Sequence, residues 1–598
     1  MNEDAWPWTE EVARRALARL AGGAPWKQVF EAALLELDDE RADHLMLLTR
    51  EARGAWILLA GTAAGRALCI GNAASGAPVA LARAGLRITL ADTSLTRLRL
   101  GQARVRAMAG VEAQAVCVGG ARSLPFRANA FELVLQEVGL PQARTAWSFP
   151  LAELARVGGE LALTANNRLG YKRSAGRRGD FRVPSPIAYA AGALFPLHGE
   201  RTLRGRRAAL RAAGWSSSRA FALYPHQSDF THLVALDEEE PALAIGPKER
   251  ANRAKVLAQR VGLFPWLTPS FVFLARRDAA QSVPRFERLL DELAARTGEP
   301  RPVLEHFHAT RGNTALLMTR AAGEKGRRDV CQAPYGRWAV HVPLSQQQVD
   351  QLVKHHARLE LCRARHPSLP VPEPLWIGEA AGSMVACERR LAGLTAPQHT
   401  GELAIAARMF ADVARDFSAL ATRPARAFDA HDFERLVGSR FALVARHAAV
   451  PATIARLATL RERMREALIG AQFPLVLQHA DLRSKHVQLA ADGAVLGYLD
   501  WGSSEIDDLP YFDLLHLIVH ERKHEAGLTA AAAWRIARER DDLREHERRA
   551  LDLYSERLGL DERFRRALEA LYPVLVAAMA ERNWDYSRPR WLARQFEL

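Results

Sequence analysis

The residues best suited to chemistry lie in one stretch, LQHADLRSKHVQLAADGAVLGYLDW, from Leu477 to Trp501. Asp481 lies in a His-Ala-Asp turn, and Asp500 ends the strand-like run GYLD. Transfer of a phosphoryl group requires a carboxylate near the acceptor hydroxyl, metal ligands, and positive charge on the phosphates. The spacing matches the catalytic-loop pattern H-x-D-L-x-x-x-N, with His486 at the last position. The stretch therefore predicts Asp481 at the acceptor and Asp500 with His486 at a metal ion.

These motifs resemble the aminoglycoside phosphotransferase and choline kinase-like family, whose loop commonly reads HGDLHPGN and is followed by IDW. The segment DDLPYFDLLHL resembles the GDPxxDL element of that family, which places Asp508 and Asp513 at the start of a structural helix. ERRLAG, residues 388–393, resembles its interlobe hinge, and LPVPEPL resembles a connector of its small lobe. The resemblance covers about residues 303–520. It implies a bilobal protein-kinase-like fold that binds ATP and Mg²⁺.

Two positions depart from the family pattern. RWAVHVPL places His341 where the family has a lysine for the α and β phosphates, so a mostly neutral imidazole replaces a permanent cation. His486 replaces an asparagine, although magnesium prefers oxygen ligands. The helix that should offer a glutamate to that lysine carries Lys354, His355 and His356. Because both central carboxylates remain, a slow kinase and a nucleotide-binding relic both stay open. So do a phosphohydrolase metal site and a purely structural turn.

A second group of candidate residues lies in RALCIGNAASGAPVALARAGLRITLADTSLTRLRL. A strand ends at Gly71, a turn of small residues follows as far as Gly76, and the next strand ends at Asp92. Small residues before a helix N-terminus let a ligand approach the backbone. A carboxylate at the end of the second strand can accept both hydroxyls of a ribose. The alternative for Asp92 is a helix cap, because DTSL also reads as a capping sequence.

The order IGNAASG, LADTS, GGARSLPF and FELVL resembles a class I S-adenosylmethionine-dependent methyltransferase over about residues 50–277. The family loop usually reads G-x-G-x-G, and the matching positions here are Gly71, Ala73 and Ser75. The resemblance implies a Rossmann-like methyltransferase fold that binds S-adenosylmethionine. The residues it places at the cofactor are Gly71, Asn72, Ala73, Gly76, Asp92, Gly120 and Ala121.

The hydrophobic pattern divides the chain into four segments. Residues 1–55 predict a helical segment that packs on the first domain. Residues 56–277 alternate strands with helices, which predicts an α/β domain with a parallel sheet. Proline-punctuated residues 278–302 predict a linker. Residues 303–598 predict the kinase-like α+β domain, with strands first and helices dominating after residue 400.

Composition limits the partners. The net charge is +14, and only eight of the 82 basic residues are lysine. This charge suits anionic partners, but no nucleic-acid-binding motif accompanies it, so specific nucleic-acid binding is not expected. The basic stretch Lys172–Arg211 indicates either a solvated face or peripheral contact with an anionic acceptor or membrane surface. Scattered cysteines without a C-x-x-C pair, no signal peptide and no apolar run of about 18 residues favour a cytoplasmic protein without a membrane span.

The two resemblances together predict a bifunctional transferase. It would methylate and phosphorylate hydroxyls of a sugar, glycan or related small molecule, for instance in surface-polysaccharide synthesis. The alternatives are a non-catalytic scaffold with degenerate sites and a kinase joined to an inert methyltransferase-like module.

A metal site formed by His226, Asp229 and His232 is disfavoured because Pro225 and the following strand-like THLVAL exclude a shared helical face.

Overall fold

A computed structural model describes most of the chain. Among the residues it describes, no helix combines the length and apolar character needed to cross a membrane. The described ranges are 9–62, 64–71, 73–118, 124–137, 151–170, 201–227, 229–237, 257–258, 260–278, 283–322, 337–399, 403–448, 450–525, 528–540 and 542–596.

The chain divides into two compact units. The first consists of residues 1–326, 337–349 and 376–387, and the second of residues 327–336, 350–375 and 388–598. Each unit is described below by itself. The domain limits predicted from the sequence stay a prediction, because this division groups the strands after residue 303 with the N-terminal part.

A single sheet runs through the first unit. Thirteen of the described strands form it, in the order β12-β13-β11-β10-β9-β7-β6-β8-β5-β4-β1-β2-β3. The strands are β1 Gly65–Ile70, β2 Leu86–Asp92, β3 Gln114–Cys117, β4 Phe131–Glu137, β5 Ala155–Asn166, β6 Ser217–Tyr224, β7 His232–Ala235, β8 Ser270–Arg276, β9 Val303–Ala309, β10 Thr314–Arg320, β11 Trp338–Pro343, β12 Pro374–Ala380 and β13 Ser383–Arg389.

The part of this sheet formed by β1 to β5 is parallel. β1 pairs in parallel with β2 and β4, β2 with β3, and β4 with β5. β8 is antiparallel to both β5 and β6. The strands predicted from the alternating pattern between residues 56 and 277 are confirmed. The predicted parallel sheet is confirmed for β1 to β5, whereas β6, β7 and β8 pair in antiparallel fashion. Because β1 and β2 are parallel, their carboxyl ends at Gly71 and Asp92 lie at the same edge.

The sheet continues from β7 into β9 to β13. β7 meets β9 in antiparallel pairing at His232 and His308, and the Ala309 amide donates to the Thr231 carbonyl at 2.9 Å. The segment predicted as a linker contains the helix Arg285–Thr297. Its Arg285 amide donates to the Ala60 carbonyl at 2.8 Å, and the buried guanidinium donates to the Ala84 carbonyl at 2.8 Å. This segment is therefore packed against the sheet-bearing part of the first unit.

Helices cover the first unit's sheet. The 3₁₀ segment Glu51–Leu59 is buried throughout and packs on the helix Gly76–Arg83, where a Cβ at Gly54 would come within 2.5 Å of the Ala80 Cβ. The helices are Glu10–Ala21, Trp26–Glu36, Asp39–Thr49, Gly76–Arg83, Leu95–Ala109, Leu151–Leu154, Leu203–Ala212, Phe264–Leu267 and Arg285–Thr297.

The second unit is mainly helical, as predicted for the region after residue 400. Its helices pack around one large apolar core that includes Phe417, Trp501 and Leu571. Two small sheets, β14-β17-β18 and β15-β16-β19, carry the candidate residues at their ends. The strands are β14 Leu394–Thr395, β15 Ala421–Ala427, β16 Gln472–Gln478, β17 Val487–Leu489, β18 Val495–Tyr498 and β19 Glu505–Asp508. The helices are Gln346–Arg365 (from Asp350 onward), Leu403–Ser418, Ala430–Phe433, Ser439–His447, Pro451–Leu468, Phe512–Glu525, Ala530–Glu539, Glu545–Leu558, Glu562–Asn583 and Pro589–Phe596.

Candidate functional site

A tight turn follows β16 and presents Asp481. Ala480 has a φ of +66°, a conformation that non-glycine residues seldom adopt and that surrounding contacts must hold. Asp513, in the first turn of the helix Phe512–Glu525, supplies those contacts: its two carboxylate oxygens accept the amide hydrogens of His479 at 2.7 Å and Ala480 at 2.8 Å. Burial raises the pKa of Asp513 to about 7, against these two donors, which favour the charged form. Asp513 thus fixes the backbone that carries Asp481.

Both carboxylate oxygens of Asp481 have partners. Arg483 donates to Oδ2, and His516 Nε2 lies 3.4 Å from Oδ1. Burial opposes ionisation, yet the Arg483 guanidinium and the His516 hydrogen bond hold the pKa of Asp481 well below its usual range. On its other side, His516 Nδ1 lies 2.9 Å from the Tyr572 hydroxyl. Asp481 is therefore a fixed carboxylate whose contacts favour the charged form.

Asp500 lies beside His486 because a short hairpin returns the chain. β17 and β18 pair in antiparallel fashion, and the amide of Leu499 donates to the His486 carbonyl at 2.8 Å. Asp500 has a φ of +64° and a side chain that is 60% exposed, and its Oδ2 lies 3.3 Å from His486 Nε2. The contact is short and polar, and the exposed face of the carboxylate remains accessible.

The hydrogen bond at Nδ1 of His486 determines whether the second ring nitrogen, Nε2, donates or accepts. Nδ1 lies 2.7 Å from the Asp481 carbonyl oxygen, which can only accept, so Nδ1 carries the hydrogen. Burial, reinforced by the charge of Lys485, lowers the pKa of His486 to about 3. The ring is therefore neutral at ordinary pH, and the Nε2 lone pair faces the Asp500 carboxylate. Two acceptors at this distance form an arrangement that suits a shared cation.

The donor atoms fit a divalent cation. One ligand atom each from Asp481, His486 and Asp500 lies within 4.8 Å of the others. Carboxylate oxygens suit magnesium and manganese, and a neutral imidazole nitrogen adds preference for a transition metal over magnesium. The predicted pair of Asp500 and His486 thus has the chemistry of a metal site, to which Asp481 contributes a third candidate ligand.

A buried histidine on the helix that begins at Gln346 supports the loop that carries Asp500. His355 Nδ1 accepts the amide hydrogen of Trp501 at 3.0 Å, the residue directly after Asp500. Its Nε2 lies 2.7 Å from Glu388, and neighbouring Lys354 binds Glu505 at 3.1 Å. The sequence indicated only that this helix lacks the expected glutamate. The contacts of His355 and Lys354 follow from the tertiary fold.

A buried ion pair lies at the end of β19. Arg440 donates to Asp508, whose Oδ1 accepts the Leu509 amide at 2.6 Å, and to the Leu436 carbonyl at 2.8 Å. A π-helical turn, Glu434–Gly438, precedes Arg440. The sequence placed Asp508 only at a helix start, and its partner Arg440 was not predicted.

Of the residues that the sequence predicted at S-adenosylmethionine, Gly71 and Asp92 follow or end the parallel strands β1 and β2. Gly71 has a φ of +90°, where glycine is favoured, and Ala73 is buried. A Cβ at Gly76 would lie 1.8 Å from the Arg50 carbonyl, so this glycine is required by the fold itself. Asn72, Gly120 and Ala121 lie outside the described residues.

Asp92 is buried and engaged by its own helix. Its Oδ1 accepts the Ser94 amide at 3.0 Å and lies 2.6 Å from Arg97. Ser94, rather than Asp92, caps the helix Leu95–Ala109 by accepting the Arg97 amide. A ribose at Asp92 would share the carboxylate with Arg97.

The other candidates of the first unit are dispersed. His341 lies on β11, and Asp229 binds Arg50 at 2.6 Å and Arg311 at 2.9 Å, so its carboxylate is occupied by two cations. Of the basic stretch, only residues 201–211 lie within the described ranges, where they form most of the helix Leu203–Ala212.

Comparison with known proteins gives one family match. Residues 330–553 match the model of the phosphotransferase enzyme family, APH. No curated protein matches the chain. Among solved structures, the chain is similar to an aminoglycoside phosphotransferase, APH(3'')-Id, from Streptomyces rimosus, in complex with ADP and streptomycin. The identity is 18% over 44% of this chain and 90% of that one, with a TM-score of 0.29. A macrolide 2'-phosphotransferase type I is 18% identical over 51% of this chain and 94% of that one, with a TM-score of 0.33.

Proposed function

We propose that the C-terminal domain, which the APH phosphotransferase family match supports, transfers a phosphoryl group from ATP to a hydroxyl of a small molecule such as a sugar or glycan. The observation that carries this proposal is the fixed, charged Asp481 beside the ligand-like pair His486 and Asp500. A divalent cation, when bound there, would neutralise charge on the transferring phosphate.

Each residue has a separate task in this proposal. Asp481 accepts the hydrogen bond of the acceptor hydroxyl and aims its oxygen at the γ-phosphorus. The new O–P bond forms as the bond from that phosphorus to the bridging oxygen breaks, and the hydroxyl proton leaves with solvent or through Asp481. Since Asp481 is a weak base, orientation is its main contribution, which suits a loose transition state that needs little proton abstraction. Arg483 and His516 hold the carboxylate in place.

Calorimetric titration with ATP, in Mg²⁺ and separately in Mn²⁺, tests the proposal. We expect ATP binding by the wild type to depend on the cation. Asp500→Ala should lower the ATP affinity at least about 100-fold, because substitution of residues that only hydrogen-bond to metal ligands already lowers metal affinity about 10–100-fold. His486→Asn is the matched control. It should keep binding and move the preference from Mn²⁺ toward Mg²⁺, since an amide oxygen replaces a ring nitrogen. No binding by the wild type would overturn the proposal and favour a scaffold.

A second proposal concerns the first unit: S-adenosylmethionine-dependent O-methyl transfer to the same class of acceptor. The parallel strands that end at Gly71 and Asp92 support it, since they bring a glycine turn and a carboxylate to one sheet edge. Arg97 at Asp92 predicts that the cofactor must compete with an ion pair. Titration with S-adenosylmethionine should therefore show tighter binding after Arg97→Gln. Absence of binding by both proteins would leave a kinase with an inert module.

A further inference from the structure

A short segment before β8 in the first unit exposes several large apolar side chains. Phe264, at the start of its four-residue helix, is buried in a cluster with Tyr224 and Val234 and attaches the segment to the sheet. Single exposed hydrophobic side chains are ordinary, whereas a group of them on one surface marks an interaction site. Four lie within residues 260–267, with exposed fractions between 38% and 58%: Val261, Leu263, Trp266 and Leu267.

A basic helix lies beside this segment. The Arg204 guanidinium of the helix Leu203–Ala212 lies over the Trp266 ring, 5.0 Å from the ring centroid. Asn167 holds both elements. Its side-chain amide donates to the Trp266 carbonyl at 2.9 Å, and its backbone forms an isolated parallel β-bridge with Arg201. The start of the basic helix and the tryptophan are therefore fixed next to each other.

The arginines of this region outnumber its carboxylates. Residues 201–214 and 257–267 contain six arginines and no acidic residue. Two of the six, Arg206 and Arg207, are partly buried, and Arg207 pairs with Asp237. The other four are exposed, and within the described ranges no carboxylate forms an ion pair with their guanidinium groups: Arg201, Arg204, Arg211 and Arg260. The exposed positive charge is therefore available to an anionic partner.

We propose that the helix Leu203–Ala212 and residues 260–267 dock the first unit on an anionic lipid bilayer. Trp266 and Leu263 would enter the boundary between headgroups and acyl chains, where tryptophan is enriched. The exposed arginines would contact lipid phosphates on the same surface. A nucleic acid would satisfy the arginines and would leave the four apolar side chains in water, so a bilayer is the better match.

This surface lies at the edge of the sheet where the parallel strands end. β1, β4 and β5 are parallel, so β5 ends at the same edge as β1, which Gly71 follows. Asn167, which holds Trp266, comes directly after β5. Contact with a bilayer would thus bring membrane-bound acceptors to the edge where parallel sheets bind their ligands.

Co-sedimentation of the full-length protein with vesicles tests the inference. Vesicles of phosphatidylglycerol and phosphatidylcholine in equal amounts should bind at least about tenfold more tightly than phosphatidylcholine alone, because several arginines contribute. Trp266→Ser should weaken binding at least about fivefold, because a large apolar side chain no longer leaves water. Arg204→Gln should weaken it about fivefold through the loss of one cation at the anionic surface.

Two exposed positions elsewhere in the first unit provide matched controls. Val157→Ser removes an apolar side chain that is 79% exposed, and Arg14→Gln removes an exposed arginine on the helix Glu10–Ala21. Both variants should bind vesicles as the wild type does. ATP titration of the same proteins tests the kinase separately, because Arg204 and Trp266 belong to the first unit.

Equal binding to both kinds of vesicle would overturn the inference, and so would unchanged vesicle binding by Trp266→Ser. A short DNA duplex is the competing probe. Duplex binding that is lost in Arg204→Gln and kept in Trp266→Ser, without vesicle binding by the wild type, would overturn bilayer docking and assign the arginines to nucleic acid.

Discussion

Replacing Asp481 with asparagine is expected to lower ATP turnover by about 10³-fold, within the range that positioned acid–base groups contribute. The amide keeps the shape of the carboxylate, but its nitrogen cannot accept the acceptor hydrogen bond and meets the Arg483 guanidinium. The affinity for ATP should change little, because the nucleotide depends on the cation held at Asp500. ADP formation measures turnover, first with water as acceptor and then with the hydroxyl compound found by screening.

The control for this substitution is Asp492→Asn, which makes the same change on an exposed carboxylate in the loop between β17 and β18. It should leave turnover unchanged. Retention of more than a tenth of the wild-type rate by Asp481→Asn would contradict the assigned role. Equal loss of ATP binding and turnover would also contradict it, since Asp481 would then act as a ligand of the cation rather than at the acceptor.

The arrangement of Asp481, His486 and Asp500 was predictable because its geometry is local. Asp481 and His486 lie five residues apart, and a hairpin of short strands brings Asp500 to His486. The strand-turn-strand pattern in the sequence already predicts the hairpin that brings the chain back to His486. The chemistry of His486 was only half predictable. Its replacement of asparagine is visible in the sequence, whereas its hydrogen bond to the Asp481 carbonyl, which directs Nε2 at Asp500, depends on the folded turn.

Residues that support the loop from a distance could not be predicted. His516 reaches Asp481 across 35 positions and His355 reaches Trp501 across 146. In the sequence, His516 lies within the apolar run LLHLIVH, which indicates burial but names no partner. The burial of a side chain can be predicted from the periodicity of its own segment. Its hydrogen-bond partner depends on how helices that are remote in the chain pack together. For this reason, the sequence indicated Asp481 as a candidate and did not indicate the residues that support it.

In the sheet of the first unit, local features were again predictable and long-range pairing was not. Most of its strands were predicted from apolar runs, and the structure confirms those, whereas β6, β9 and β12 were not predicted. The continuation from β7 to β9 joins strands about 70 residues apart through pairing at His232 and His308. No local pattern specifies that edge-to-edge pairing, since either strand alone reads as an ordinary sheet edge. The strand types were thus predictable, and the extent of the sheet was not.

Asp508→Ala is expected to destabilise the second unit by about 3–5 kcal/mol, because it leaves a buried guanidinium without its counter-charge. The Arg440 side chain is 6% exposed and that of Asp508 is 2% exposed. The Leu509 amide also loses its acceptor. Urea unfolding of the full-length protein measures the effect. Hydrogen exchange of the peptide that spans β16 and the turn at Asp481 then shows which part of the unit is destabilised.

The neighbouring exposed pair provides the matched control. Arg423 binds Asp507 with a side chain that is 50% exposed, so Arg423→Ala should cost less than about 1 kcal/mol. The double variant Arg440→Leu with Asp508→Leu should recover part of the loss, since apolar replacement of a whole buried pair is often neutral. Faster exchange in β16 is also expected, because Val476 of β16 pairs with Asp508 of β19. A cost below 1 kcal/mol for Asp508→Ala would mean that water reaches Arg440, and that the strand before Asp481 is held by the contacts of Asp513 instead.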